Sequence, residues 1–439
     1  MTAPTAALRS AAATAASAQP LVSAGLPSLA GTASNPHAPV GRWILGTAGL
    51  VAGMVHVGGV TRLTKSGLSM TDWKPLGSLP PATAEEWQAE FDRYKTFPEW
   101  AQRKSMTLDE FKYIFFWEWG HRMLGRAVGV AFAAPWAYFA VRRKIPPGFH
   151  GRMALLFAMG GTQGLVGWWM VKSGLGEGRR GDRTEIRVSP YRLAAHLGMA
   201  VATYGTLVHT GLGIFAVPHD AGGRLRGLAR SLPAAAAAHA GRLRLGAVGV
   251  AGLTGATILS GAFVAGNDAG NAYNTFPKMA DRWIPADDMV DPGLEPRWRN
   301  LFENTATVQW NHRVLGTSTA VSAVALAGLG LAHPAARGAV TPQARRGLQL
   351  LGAAAVGQMS LGVATLLNYV PLGLAAAHQL GSLVVFTGGV YVAHSLRYAS
   401  PSLVRAAAAA SGGRAAGAPA VAALGKGTRV AMMRRPGNL

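Results

Sequence analysis

Eight stretches of this 439-residue chain are apolar and long enough to cross a bilayer. They run over residues 43–61, 113–140, 152–171, 191–217, 243–266, 305–332, 345–367 and 372–396. A helix rises 1.5 Å per residue, so crossing a hydrocarbon core of about 30 Å takes ~20 residues. In lipid every backbone polar group must be satisfied internally, which for runs of this length means helices. The stretches are also rich in Gly and Ala, as close helix packing in membranes requires. The fold class read from this pattern is an all-α integral membrane protein.

Charge supports that class against its main competitor. The chain carries 42 Lys and Arg against 20 Asp and Glu, a net +22, with a pI near 11.2. Such a balance in a soluble protein suggests nucleic acid. Yet only 14% of the residues are charged, against about 25% in an ordinary soluble chain. The charges also follow the spans. The segments 62–112, 172–192, 267–304 and 368–371 together hold 18 basic and 18 acidic residues; the other 24 basic and 2 acidic residues lie elsewhere. The alternate connections are basic without any acid: Arg142, Arg143, Lys144 and Arg152 in one, Arg337, Arg345 and Arg346 in another. Lys and Arg accumulate in inner loops, so both termini and these connections are expected inside. The partner implied is membrane lipid, with no nucleic acid. The sequence has no cysteine, which rules out disulfides, thiolate catalysis, Cys-ligated zinc and iron–sulfur clusters.

The ends differ from the body. Residues 1–40 are rich in Ala, Ser, Thr and Pro, with Arg9 and no acid, and read as a transit peptide or a disordered tail. Residues 399–439 are Ala- and Gly-rich with scattered Arg and read as a disordered basic tail. The connections 62–112 and 267–304 are long enough to have roles of their own. The first of them, from Ala84-Glu85-Glu86-Trp87 onward, is expected to form short amphipathic helices over the outer face.

The body is an internal repeat. Trp119-Gly120-His121-Arg122-Met123-Leu124-Gly125 matches Trp310-Asn311-His312-Arg313-Val314-Leu315-Gly316. Leu193-Ala194-Ala195-His196-Leu197-Gly198 matches Ala375-Ala376-Ala377-His378-Gln379-Leu380-Gly381 with one residue inserted. Gln163 and Gly167 match Gln358 and Gly362; Gly58, Gly67 and Trp73 share their spacing with Gly261, Gly270 and Phe276. Four spans return the chain to its starting side, so the repeats are parallel, related by an axis along the membrane normal. The expected architecture is two pseudo-symmetric four-helix bundles, over residues 41–220 and 240–398.

Each half carries two histidines within its spans: His121 and His196, then His312 and His378. All four lie ~8–12 Å below the outer surface by helix rise. Polar groups at that depth are functional candidates. Two facing imidazoles in a bundle suit axial ligation of heme iron; copper or a hydrogen-bonded histidine pair is left open. Zinc normally takes a third or fourth protein ligand, and no third candidate recurs in both halves. Arg122 and Arg313 follow a histidine in each half and suit heme propionates, since guanidinium matches carboxylate in two hydrogen bonds; snorkelling to the interface is the alternative. One helical turn before the histidine, Glu118 stands in the first half where Gln309 stands in the second. Only the acid titrates, so the first half reads as reactive and the second as a stable cofactor or electron site; a structural pairing of Glu118 with Arg122 or Arg126 is the competing reading. His56, opposite Leu259 in the second half, reads as a structural or interfacial histidine, and His209 has no assigned role.

These residues resemble the heme A synthase family, in its mitochondrial-type branch. The resemblance rests on Gly58-Gly59-Val60-Thr61-Arg62-Leu63-Thr64, Ser66-Gly67-Leu68-Ser69-Met70-Thr71-Asp72-Trp73-Lys74-Pro75, Glu118-Trp119-Gly120-His121-Arg122, Ser189-Pro190-Tyr191-Arg192-Leu193-Ala194-Ala195-His196, Tyr273-Asn274-Thr275-Phe276-Pro277 and Gln309-Trp310-Asn311-His312-Arg313. It covers about residues 41–398. It implies oxidation of the C8 methyl group of heme O to a formyl group, giving heme A for cytochrome c oxidase. By resemblance, heme O is the substrate at His121 and His196, heme b is held by His312 and His378, and Glu118 takes part in the chemistry. The implied setting is the mitochondrial inner membrane, with termini in the matrix and heme sites toward the intermembrane space, or the bacterial plasma membrane if residues 1–40 are not a transit peptide. Implied partners are heme O synthase, cytochrome c oxidase assembly factors and an electron-transfer partner; homo-oligomerisation is left open. Some bacterial members carry a cysteine pair that this chain lacks. The competing functions are a diheme b-type cytochrome linked to quinone, and a repeat-built transporter, whose site would lie at the midplane.

Overall fold

The computed structural model describes residues 35–405 apart from 71, 73, 75, 177–185, 222 and 337. The readings of residues 1–34 and 406–439, and the signpost Trp73, lie outside the described residues. Eight helices are long and apolar enough to span a membrane. They are α1 (Ala38–Leu63), α3 (Leu108–Val141), α4 (His150–Lys172), α5 (Pro190–Ala221), α7 (Ala234–Gly266), α8 (Thr305–Ala332), α9 (Pro342–Leu367) and α10 (Leu372–Ser395), with α2 (Ala84–Lys95) and α6 (Arg224–Ser231) between spans. Among the described residues there is no strand, only an isolated bridge between Met279 and Arg282. The expected all-α membrane class is what forms.

The helix ends follow local chemistry. Thr107 caps α3 by accepting from the Glu110 N–H while the Glu110 carboxylate accepts from the Thr107 N–H, a reciprocal pair that satisfies two otherwise orphaned donors. Asn304 caps α8, and Thr341 caps α9 ahead of Pro342, whose missing N–H costs nothing at a first turn. The capping box starts α3 at Leu108 rather than at residue 113. Its extra turn packs outside the apolar span: Phe111, Ile114 and Phe115 form a buried cluster with Phe91 and Tyr94 from α2. The segment α2 begins on a second capping box, Thr83 with Glu86, as the amphipathic reading of that loop expects.

Within the first half α1 packs on α3 and α5, and α5 on α4; within the second, α8 and α10 each pack on both α7 and α9. Two buried clusters follow, one centred on Ile44, Met153, Leu207 and Ile214, the other on Leu243, Leu348, Leu351 and Leu396. The halves meet through α5, α7, α10 and α1. Tyr204 on α5 and Thr387 on α10 share a hydrogen bond of 2.7 Å across that contact. The two halves are not equally tight. The seam between α3 and α4 is much sparser than the matching seam between α8 and α9, and α3 and α4 are the least buried spans of all. Large apolar side chains point outward along the spans, among them Val130, Leu155, Leu245, Val321 and Leu350, the surface a lipid solvent accepts.

Residues 218–242 lie between two apolar spans and carry no span-length apolar run of their own. In the structure α6 occupies Arg224–Ser231, and α7 begins at Ala234, ahead of the expected 243. The run Ala234–Ala238 reads as low complexity, yet alanine is the strongest helix former.

Candidate functional site

In each half the first site histidine sits on the second span and the second on the fourth. These helices lie across from one another in the packing order, α3 from α5 and α8 from α10. Each imidazole lies against a glycine of a neighbouring span. A Cβ on Gly58 would stand 2.9 Å from His121 Cε1, on Gly167 2.8 Å from His196 Cε1, on Gly261 3.3 Å from His312 Cε1, and on Gly362 2.6 Å from His378 Cε1. Four glycines therefore cradle four rings, two in each half, because only hydrogen leaves the ring room. The sequence marks these glycines as repeat signposts; their task as cradles appears only once the helices face one another.

The second histidine of each pair has the same companion. The Gln163 amide nitrogen donates to the His196 carbonyl at 3.1 Å and lies 3.2 Å from His196 Nδ1. The Gln358 amide nitrogen donates to the His378 carbonyl at 2.8 Å and lies 3.0 Å from His378 Nδ1. The amide oxygens of both glutamines are buried without a hydrogen-bond partner. The first histidines differ. His312 Nδ1 lies 2.7 Å from Ser260 Oγ, whereas His121 Nδ1 is buried with no partner among the described residues.

Glu118 and Gln309 are both buried, at 2% and 3% exposure, and both face the loop that follows the first span of their half. The Glu118 carboxylate accepts from Ser69 Oγ at 2.8 Å, from the Met70 N–H at 2.7 Å and from Arg122 at 2.6 Å. Gln309 instead donates to the carbonyls of Ala269 at 2.8 Å and Gly270 at 3.4 Å, and its oxygen accepts from Arg313 at 3.0 Å. The arginines complete the clamp. Arg122 donates to the carbonyls of Met70 and Asp72, and Arg313 to those of Tyr273 and Lys278. Arg126 donates to the carbonyls of Arg122 and Lys74. The sequence points Arg122 and Arg313 to propionates; in the structure their guanidinium groups reach loop carbonyls and tie each loop to the helix that carries the first histidine of its half. A small cleft remains there, lined by Asp72, Lys74, Trp119, Arg122 and Arg126 among others.

The donor set fits a heme. His312 and His378 have ring centres 6.4 Å apart with planes at 85°. Metal–imidazole bonds of about 2 Å to either side of one iron hold ring centres about 6 Å apart. Among the described residues no group of three or more His, Asp or Glu could hold a bare metal ion. Two imidazoles without a third protein donor suit an iron whose remaining ligands come from a porphyrin. His56 Nδ1 is buried without a partner near this end, and His209 lies 5.8 Å from His394, ring centre to ring centre.

The sequence falls within a known group. Residues 41–390 match the model of the family described as "Cytochrome oxidase assembly protein". Heme A synthase COX15 of Arabidopsis thaliana is 44% identical over 373 residues, covering 83% of this chain and 76% of that protein. A heme A synthase–mitochondrial ferredoxin fusion protein of Schizosaccharomyces pombe is 41% identical over 383 residues, 83% of this chain and 61% of the fusion. Heme A synthase of the bacterium Parvibaculum lavamentivorans is 43% identical over 369 residues, 83% of this chain and 96% of that protein. With eight spans, a doubled histidine pair and a family match over most of its length, this chain belongs to the COX15-CtaA family of cytochrome oxidase assembly proteins.

Proposed function

We propose that the chain is a heme A synthase, oxidising the C8 methyl group of heme O to a formyl group to give heme A for cytochrome c oxidase. The observation that carries this reading is a pair of imidazoles on glycine cradles in each half, with a carboxylate one turn away in the first half alone. Residues 41–220 form the substrate bundle, where His121 and His196 take heme O. Residues 240–398 form the second bundle, where His312 and His378 hold a heme b. That group, when bound, supplies one-electron redox chemistry at a potential set by its ligands and their hydrogen bonds.

The protein's own residues do the rest. Glu118 sets a carboxylate beside the substrate pair, and its bonds from Ser69, Met70 and Arg122 fix where that carboxylate sits. A preorganised charge of this kind stabilises positive charge developing on a substrate as it is oxidised. Arg122 and Arg313 close the polar end of each site through the loops they anchor, where propionates would lie. The membrane is the mitochondrial inner membrane or a bacterial plasma membrane, with both termini inside and both pairs toward the outer face; the charge distribution of the loops supports this orientation. The fusion found in Schizosaccharomyces pombe supports a small iron–sulfur protein as electron partner. Heme O synthase would deliver the substrate, and oxidase assembly factors would accept the product.

Pigment analysis is the direct test. Membranes containing this chain together with a heme O source should yield heme A on extraction, and His312→Ala or His378→Ala should remove a low-spin heme b signal. Extracts holding only heme b would point instead to a quinone-linked cytochrome.

A further inference from the structure

We propose that one hydroxyl decides which histidine pair keeps its heme: Ser260 makes His312 a permanent ligand, and Val57, at the same place in the first half, leaves His121 an exchangeable one. This rests on the axial assignment proposed above and adds a division of labour to it.

The geometry is specific to one nitrogen. Ser260 Oγ donates to the Thr257 carbonyl at 2.7 Å, so towards His312 Nδ1, also 2.7 Å away, it can only accept. His312 Nδ1 therefore carries the proton, and the lone pair of Nε2 is left for a metal. A ligand histidine whose other nitrogen donates is held in one tautomer and orientation and is more basic toward its metal. Alignment of Gly58 with Gly261 puts Val57 opposite Ser260. The two rings lie on their glycines in the same way, with Cε1 nearest, then Nδ1, then Nε2. Yet His121 Nδ1 is buried with no hydrogen-bond partner among the described residues. The partner histidines do not differ in this respect, since Gln163 and Gln358 sit alike on His196 and His378. The asymmetry thus falls on a single ligand of each pair. It falls on the ligand beside which Glu118 replaces Gln309, in the half whose α3–α4 seam is the looser. A site that must admit heme O and release heme A each turnover needs the weaker hold; a resident cofactor needs the stronger.

The test uses the full chain in detergent with apomyoglobin as heme acceptor, following loss of heme b and of added heme O as separate pigments. Ser260→Val should speed heme b loss roughly 10- to 100-fold, the usual cost of deleting an outer-sphere partner. It should also raise the heme b midpoint potential, because a less electron-rich imidazole favours the reduced iron. Ser260→Thr, which keeps the hydroxyl, should restore both. Val57→Ser should slow heme O loss by a similar factor while leaving heme b untouched. If Ser260→Val folds and changes neither rate nor potential, the inference is overturned while the axial assignment stands. If Ser260→Val does not fold, an unchanged heme O loss in Val57→Ser overturns it. A heme b spectrum that survives His312→Ala overturns the axial assignment and this inference together.

Discussion

Glu118 and Gln309 stand one turn before a histidine in matching places, and the loop opposite each has reversed its polarity. Met70 offers an N–H and Ser69 a hydroxyl to the acid, whereas Ala269 and Gly270 offer carbonyls to the amide. Exchanging the two side chains therefore sets donor against donor or acceptor against acceptor. Each unmatched buried group costs about 1–3 kcal/mol. Gln309→Glu should lower the melting temperature of the loaded protein, read from the heme b band. Glu118→Gln should stop heme A formation while the heme b band persists, and full activity would sink the catalytic reading. The cradle glycines give a graded series. Gly362→Ala should perturb its histidine most, since the new Cβ would lie 2.6 Å from the ring, and Gly261→Ala least, at 3.3 Å. Low-spin heme absorbance across the set would check the order, and equal losses would refute the cradle argument. At this scale the repeat made the histidines, the glutamines, the glycines and the Glu118 substitution legible. Ser260 was not legible, because its only signal is a mismatch with Val57, which gains meaning once a hydrogen bond is seen to cross between helices.

Elements were legible where chemistry is local. The spans announced themselves by length and apolarity, and the segment from Ala84 onward by its amphipathic pattern. The segment α6 was not legible, because its helicity depends on packing Leu225 and Leu228 into the second-half core; the first turns of α7 lie outside the apolar span, and their only local signal is the alanine run Ala234–Ala238. The cap formed by α2 and the turn after it contains a buried acid. Glu99 is 6% exposed and accepts from the Tyr94 hydroxyl at 3.0 Å, with Arg103 at 3.5 Å. Burial pushes its pKa up, partly offset by Arg103 and by the Tyr94 hydrogen bond. The folded cap therefore prefers the neutral acid. That contribution is complete below the pKa of the unfolded carboxylate and is lost as pH rises through the raised folded value. Amide exchange over residues 84–102, corrected for intrinsic rates, should slow on mild acidification. Glu99→Gln should remove the dependence, and an unchanged pH profile in that variant would assign the effect to another group.

At the scale of the whole molecule, the repeat imposes one frame and the loops impose a direction on it. The pairing of residues between halves is visible in sequence, but the unequal seams are not, since they depend on how far α3 and α4 separate in space. Direction comes from charge. Loops whose charges balance in sum flank the histidine end, and loops with unopposed arginines and lysines flank the other, which by the positive-inside bias supports the proposed placement of the histidine pairs toward the outer face. The absence of native cysteine makes this directly measurable, because any introduced thiol is the only one present. Lys104 and Lys144 are both exposed and lie beyond opposite ends of α3. Lys104→Cys should react with a membrane-impermeant maleimide added from outside sealed membranes, and Lys144→Cys only after the membranes are opened. Neither site touches the imidazole pairs, so heme binding should be unchanged and should report that each variant is folded. Reaction of Lys144→Cys alone from outside would invert the orientation and put the site on the inner face. Reaction of both from one side would deny that α3 crosses the bilayer, and with it the four-span repeat that places His121 opposite His196.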